Sequence, residues 1–249
     1  MNKSSTRFSL RRTLKKDTIM RVRIALAGLA AGAVAATPAF AETRTFSVSD
    51  FDAIDVSAGI KVYYETGVPQ SVSVENEKGD FSDIKVEVDD GALILSRAKK
   101  INWGGKRESY TVTVGVPSLS DIEASSGSYI EGSGLSGDDA SLDVSSGARA
   151  VITNASVGDI EVEASSGSSA EISGSCTEID ADASSGASID ASDLQCTALE
   201  ADVSSGASIR AYATNRVNAD ASSGGSVRVS GGATDVTIDK SSGGSVSVG

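Results

Sequence analysis

Apolar and polar side chains alternate in two-residue steps along most of the chain. Ile160-Glu161-Val162-Glu163-Ala164, Ile179-Asp180-Ala181-Asp182-Ala183 and Leu199-Glu200-Ala201-Asp202-Val203 are three instances. That period is the signature of a strand with one face buried. Each run ends at the same triplet, Ser-Ser-Gly, which begins at positions 125, 145, 165, 184, 204, 222 and 241. Beyond the triplets, Ile130, Ala150, Ala170, Ile189, Ile209, Val227 and Val246 hold one equivalent apolar position. Ile152, Ile172, Ala191, Ala211, Val229 and Val248 hold the next, two residues on. A second strand therefore follows every corner, and no window of the repeat carries a 3.6-residue apolar stripe. A period of about 20 residues, with no Pro after Pro117, describes a β-solenoid. Its coils stack at about 4.8 Å, so seven coils make a rod on the order of 30 Å long. The predicted fold is all-β, a right-handed parallel β-helix, because crossovers between parallel strands are overwhelmingly right-handed. The Gly of each triplet is expected to supply a corner with φ > 0.

Residues 42–118 read as a degenerate β region at the amino-terminal end. Phe51-Asp52-Ala53-Ile54-Asp55-Val56, Ile60-Lys61-Val62-Tyr63-Tyr64, Ile84-Lys85-Val86-Glu87-Val88 and Tyr110-Thr111-Val112-Thr113-Val114 alternate, and Asp89-Asp90-Gly91 is a hairpin-type turn. Ile54-Asp55-Val56-Ser57-Ala58-Gly59 copies the later Leu142-Asp143-Val144-Ser145-Ser146-Gly147. The region is expected to form longer coils or a small sheet that caps the solenoid of residues 119–249. It also holds Trp103 and most of the aromatic side chains.

Residues 1–41 are expected to be an export signal. Arg21 and Arg23 precede an apolar run from Ile24 to Ala36, and Ala39-Phe40-Ala41 puts small residues at −3 and −1 of a cleavage site. The run is too short and too rich in Ala and Gly for a membrane span. The long stretch ahead of it makes Met20 a candidate start. Arg11-Arg12 sits too far upstream to form a twin-arginine signal with it, and no Cys follows the run for lipid attachment. The mature chain is expected in the periplasm or at the cell surface, with no membrane span.

Composition sharpens this picture. The 26 Gly and abundant Ser could indicate disorder, but the repeat places them at corners. There is no His, which removes Ser-His triads and His-ligated zinc. The formal charge is −12, and the first 41 residues hold eight of the 22 Lys/Arg and one of the 34 Asp/Glu, so export would leave −19. A polyanion does not suit nucleic acid or an anionic membrane surface as partner.

The residue two before each triplet is acidic in all seven repeats: Glu123, Asp143, Glu163, Asp182, Asp202, Asp220 and Asp239. Stacking aligns them in a solvent-facing column, with a partial second column of Asp121, Glu161, Asp180 and Glu200. Such a column either keeps the sheet soluble or binds a divalent cation, Ca²⁺ being the candidate. Cys176 and Cys196 each lie eight residues before a triplet, so they occupy equivalent positions on adjacent coils. A disulfide or a pair of buried thiols fits that spacing. The paired serines, with no His or nearby Lys to activate them, read as corner hydrogen-bonders rather than nucleophiles. Asp190, Arg210 and Arg228 share one outward position and suggest a cross-strand charge pair. Tyr129 and Tyr212 are the only aromatics of residues 119–249 and read as two isolated rings.

The chain is similar to the putative auto-transporter adhesin, head GIN domain family of bacterial envelope proteins. The resemblance rests on residues 51–60 (FDAIDVSAGI), 86–95 (VEVDDGALIL), 114–119 (VGVPSL) and the repeated Ser-Gly corners. It implies a right-handed parallel β-helix in an exported protein, with no catalytic residues to carry over. Together these features point to a non-catalytic structural or adhesin-like interaction module of the cell envelope, not an enzyme and without a cofactor. Its partner would be an envelope protein or a carbohydrate. A Ca²⁺-dependent scaffold using the acidic column is the first alternative, and a polysaccharide lyase or hydrolase the second. The carboxy-terminal coil lacks a polar cap, which suggests self-association or docking at that edge.

Overall fold

The computed structural model describes residues 41–98 and 108–249, and every regular element among them is a strand. The export signal, apart from Ala41, and Trp103 lie outside the described residues. Eighteen strands form one continuous hydrogen-bonded sheet. In chain order they are β1 (Glu42–Phe46), β2 (Ala53–Val56), β3 (Lys61–Thr66), β4 (Ser71–Asn76), β5 (Ile84–Asp89), β6 (Ala92–Arg97), β7 (Tyr110–Val116), β8 (Asp121–Ala124) and β9 (Tyr129–Ser133). They continue as β10 (Ser136–Val144), β11 (Arg149–Ala164), β12 (Ser169–Ser175), β13 (Glu178–Ala183), β14 (Ser188–Val203), β15 (Ser208–Ala221), β16 (Ser226–Ser230), β17 (Asp235–Lys240) and β18 (Ser245–Val248). From β8 onward every pairing is parallel and joins adjacent coils, as in Leu142↔Val162 and Val162↔Ala181. The predicted parallel β-solenoid with coils of about 20 residues is therefore the observed fold.

Each coil has two faces. One carries the strands that lead into a Ser-Ser-Gly corner, the other the strands that leave it. In β11, β14 and β15 the chain bends from the second face back to the first within one long strand, and register shifts between Ile152/Ala155, Ala191/Gln195 and Cys196/Ala198 mark two of these bends. Such bulges bend a strand without breaking its ladder. The core is a narrow stack of Ala, Val, Ile and Leu from both faces, for example Ile160, Val162, Ile179, Ala181, Leu199 and Ala201.

The amino-terminal part departs from simple stacking in chain order. β2 and β3 make a coil with its own corner at Ser57-Ala58-Gly59, but it does not lie at the end. The coil made by β6 and β7 stacks outside it, through Ile54↔Leu93 and Val62↔Val112, while β8 and β9 stack on its other side. Antiparallel strands then complete this end: β5 pairs with β6, and β4 pairs with β7 and in turn with β1. The region thus holds coils that join the parallel stack and antiparallel strands that cover its outer side. The ladder does not break at residue 118.

A polar network ties the cap together. Arg97, only 10% exposed, pairs with Asp83, donates to the carbonyls of Ala58 and Glu108, and lies over the ring of Tyr110. Tyr110 donates to Asp83, and Arg44 covers Phe81. Asn76, fully buried, donates to the Ser109 carbonyl and accepts from the amides of Lys78 and Asp80.

At the far end β17 is exposed along its length and β18 is half exposed. Val236 and Ile238 are 39% and 36% exposed there, although the same positions are buried one coil earlier.

Candidate functional site

The repeated corner sets the geometry of the acidic face. In all seven triplets the residue after Gly donates its amide to the carbonyl of the first Ser, as Ser128 does to Ser125 at 3.1 Å. The two central residues both have positive φ, for example 52° at Ser126 and 70° at Gly127. These are the signs of a type I′ turn. The Gly was expected to sit at positive φ, and it does. The second Ser sits there as well, at some steric cost for a residue with a Cβ. The corners stack through their backbones: the Gly127 amide donates to the Ser146 carbonyl at 3.1 Å, and Gly147 to Ser166 in the same way. At the cap the series is closed by a side chain, because Arg97 Nε donates to the Ala58 carbonyl at 3.0 Å.

With the corners in register, the seven predicted acidic residues share one column. The pairings Asp143↔Glu123, Asp143↔Glu163, Glu163↔Asp182, Asp182↔Asp202, Asp202↔Asp220 and Asp220↔Asp239 fix it. Asp55 is an eighth member, opposite Glu123. Its identity was available from the repeated Ile-Asp-Val before Ser57. Glu161, Asp180 and Glu200 form the second column, with Asp121 two coils from Glu161 and separated from it by Ser141. A shallow groove of about 650 Å³ runs between the first column, from Glu163 to Asp239, and the first serines of the corners, Ser165 to Ser241.

The column is electrostatically uncomfortable. Partial burial is the main cause that raises the carboxyls of Asp55, Glu123, Asp143, Glu163, Asp182 and Asp202 above their ordinary values. Neighbouring carboxylates add to it: Asp55 and Asp143 act on Glu123, and Asp182 and Asp220 act on Asp202. Asp180 in the second column is raised in the same way. The column can therefore take up protons or attract mobile cations. Among the described residues no three acidic or Cys side chains converge to hold a metal ion.

The other sequence candidates fall where the register puts them. Cys176 and Cys196 form a disulfide with Cα atoms 4.6 Å apart, tying adjacent coils at the bend between faces. Asp190, Arg210 and Arg228 lie in line on the opposite face, and Arg210 pairs with Asp190 at 3.2 Å. Burial alone would raise Asp190, but bonds from Ser192 and Arg210 outweigh it and hold the carboxyl below its ordinary value. Ser128 and Ser168, beside the corners, are buried and donate to the carbonyls of Val56 and Val144. Tyr129 is not isolated. Its ring meets Tyr63 edge to face, with centroids 6.2 Å apart, and its hydroxyl donates to Glu131 at 2.7 Å. Aligning Ser57 with Ser125 would have shown this, since it sets Tyr63 beside Glu131 and Lys61 beside Tyr129.

Solved structures share the fold. A putative adhesin from Bacteroides fragilis superposes with a TM-score of 0.76 at 20% identity, covering 84% of this chain and 97% of that one. A putative lipid binding protein from Parabacteroides distasonis gives 0.63 at 19% identity over 84% and 96%. A putative adhesin from Parabacteroides merdae gives 0.64 at 18% identity over 84% and 96%. No curated protein matches the chain. The family model described as "Putative auto-transporter adhesin, head GIN domain" matches residues 50–233, a span from the cap to the penultimate coil, and the chain belongs to that family.

Proposed function

We propose that the chain is an exported, non-catalytic adhesin-like module of the bacterial cell envelope that makes contact through its rigid, repetitive solenoid faces. The observation that carries this reading is the uniformity of residues 121–248. No connection between strands there exceeds four residues. A catalytic cleft needs walls, and coils this even raise none. What they offer is a repeated acidic column beside a row of corner serines on one continuous sheet, suited to an extended partner. The export-type leader and the disulfide support a location outside the cytoplasm, periplasmic or on the surface. Family membership and the adhesin-named neighbours support the adhesive role.

The test is retention. The exported chain, immobilised, should capture envelope fragments saturably and leave cytosolic protein behind. Equal capture of both, or of neither, overturns the reading. Release of unsaturated products from a uronate polymer would overturn its non-catalytic part. A calcium-dependent variant uses the raised carboxyls of the acidic column, and a flat calorimetric trace on titration with Ca²⁺ would remove it. The bared β17 edge supports contact between copies there. Light scattering should then show association that grows with concentration and salt and is lost on V236K/I238K, while a strict monomer removes this contact.

A further inference from the structure

We infer that Tyr63 is the stacking platform of a binding site for neutral carbohydrate, at the junction between the cap and the repeating coils. This inference rests on the adhesin-like reading and names its ligand class and its place. β3 lies between β7 and β9, and its outward residues Lys61, Tyr63 and Glu65 sit in line with Thr111, Thr113 and Gly115 on one side and Tyr129, Glu131 and Ser133 on the other. Tyr63 is the centre of this grid and is 41% exposed, one of three large hydrophobic side chains so exposed among the described residues. The other two, Val236 and Ile238, belong to β17, which pairs only with β15. Nothing of that kind explains Tyr63, whose strand is paired on both sides.

The surroundings hold the ring up rather than cover it. Tyr129 braces one side edge to face and is itself fixed by its bond to Glu131. On the other side the neighbours are small, and a groove of about 460 Å³ opens along Tyr63, Glu65, Val68, Pro69, Ser71 and Thr113. That volume lies in the range of small-ligand sites, roughly 300–1,000 Å³. Its floor includes Gly115, where an added Cβ would come within 2.8 Å of the Pro69 carbonyl and the Ser71 hydroxyl, so the groove is shaped by close backbone packing.

The chemistry selects the ligand. A pyranose presents a face of C–H groups, polarised positive, to the negative face of an aromatic ring, and an edge of hydroxyls to its flanks. Here the flanks are Ser71, Thr113 and the carboxylate of Glu65, with Glu131 next to the ring. Carboxylates accept hydroxyl hydrogen bonds strongly, and they repel uronates and phosphates. In the later coils Val151, Glu171, Asp190, Arg210 and Arg228 take the place of Glu131, with no ring among them. Among the described residues the site therefore occurs once, whereas the acidic column repeats.

The test titrates the exported chain with a panel of neutral tetrasaccharides built from glucose, mannose and N-acetylglucosamine, with tetragalacturonate as the acidic probe, read by calorimetry and ligand-observed magnetic resonance. At least one neutral probe should bind, and tetragalacturonate should not. Tyr63→Ala should weaken binding at least tenfold, Tyr63→Phe by less than threefold, and D182N/D202N, on the other face, not at all. Thermal unfolding of each variant checks that the fold is kept. Silence from the whole panel, equal binding by Tyr63→Ala, or a preference for the uronate overturns the site. If Tyr63→Ala still retains envelope fragments as well as the original chain, the adhesin-like reading stands and this site falls alone.

Discussion

The two ends of the rod solve one problem differently. Any stacked coil must end in strands with unpaired backbone groups on one side. At the amino-terminal end the chain spends more than 60 residues on irregular sequence, with β4 and β5 running antiparallel to the coils they cover and Arg97, Asp83 and Tyr110 locked beneath them. At the carboxy-terminal end β17 and β18 pair only with the preceding coil, and Val236 and Ile238 are exposed. Between them each coil is held by its neighbours, in the manner of a one-dimensional array. The difference teaches that the repeat is cheap in sequence and the cap is not: side-chain chemistry that occurs once does the closing, while backbone register does the rest.

Breaking the cap should therefore have the largest effect. Arg97→Ala removes the partner of Asp83 and the donor to two carbonyls in a site where the guanidinium is 10% exposed. Loss of one member of a mostly buried network costs about 3 kcal/mol or more, and a drop in melting temperature of roughly 6–12 °C should follow for a chain of this size. Arg97→Lys, which keeps the charge but cannot reach all partners, should fall in between. A shift of less than about 2 °C in calorimetry would show that the cap is held by its apolar core alone.

The disulfide is the nearest counterpart within the repeat. Cys176 and Cys196 close a loop of 20 residues, and removing such a link costs about 2–4 kcal/mol. C176A/C196A should lose that amount in urea unfolding. Hydrogen exchange should rise mainly in β12 to β14, leaving the cap strands protected, because each coil feels its neighbours first. Equal loosening of cap and coils would make the rod one cooperative unit and erase the contrast drawn above.

The two ends also differ in how far sequence alone reveals them. The Ser-Ser-Gly triplets fix period, corner and face, so the acidic column and the stacked positions of Cys176 and Cys196 follow by counting. The cap does not yield to counting. That β6 and β7 stack outside β2 and β3 depends on antiparallel pairings such as Val72↔Val114 and Val86↔Leu95, and alternation says only that these residues are strands. Asp55 and Tyr63 were within reach: counting triplets passes over their coil, which carries Ser-Ala-Gly, but aligning Ser57 with Ser125 sets Asp55 beside Glu123 and Tyr63 beside Glu131. The positive φ of the second Ser was hidden because its side chain gives no sign of it; the neighbouring Gly appeared sufficient.

A gain in stability is available inside the cap. The hydroxyl of Tyr64 is buried and has no hydrogen-bond partner among the described residues, and its ring fills the space left by Gly132 on the next coil. An orphaned buried hydroxyl costs about 1 kcal/mol or more. Tyr64→Phe keeps the ring and should raise the melting temperature by about 2–4 °C. A lower melting temperature would mean that the hydroxyl has a partner in solution.

The smallest effect belongs to the acidic column, and its sign is informative. Asp182 and Asp202 are adjacent, and burial followed by neighbouring carboxylates raises both above the ordinary 3.8. A carboxyl raised on folding binds its proton more tightly in the native state. Its contribution is thus fully present below the unfolded value and is lost as pH rises through the folded one. Asp190, held below 3.8, has the opposite sense, and its contribution disappears only as pH falls through its lower folded value. The raised groups outnumber it, so the melting temperature should climb as pH drops from 7 towards their raised folded values. D182N/D202N should give part of that gain at pH 7. Like charges facing each other across strands cost roughly 0.2–1 kcal/mol a pair, which corresponds to about 0.4–4 °C for a chain of this size. The advantage should shrink in 1 M salt, where screening acts within about 3 Å, and vanish once pH falls below the raised folded values of these carboxyls. A double variant less stable than the original at pH 7 would mean instead that these carboxylates hold a stabilising cation, and the column would then have a binding role of its own.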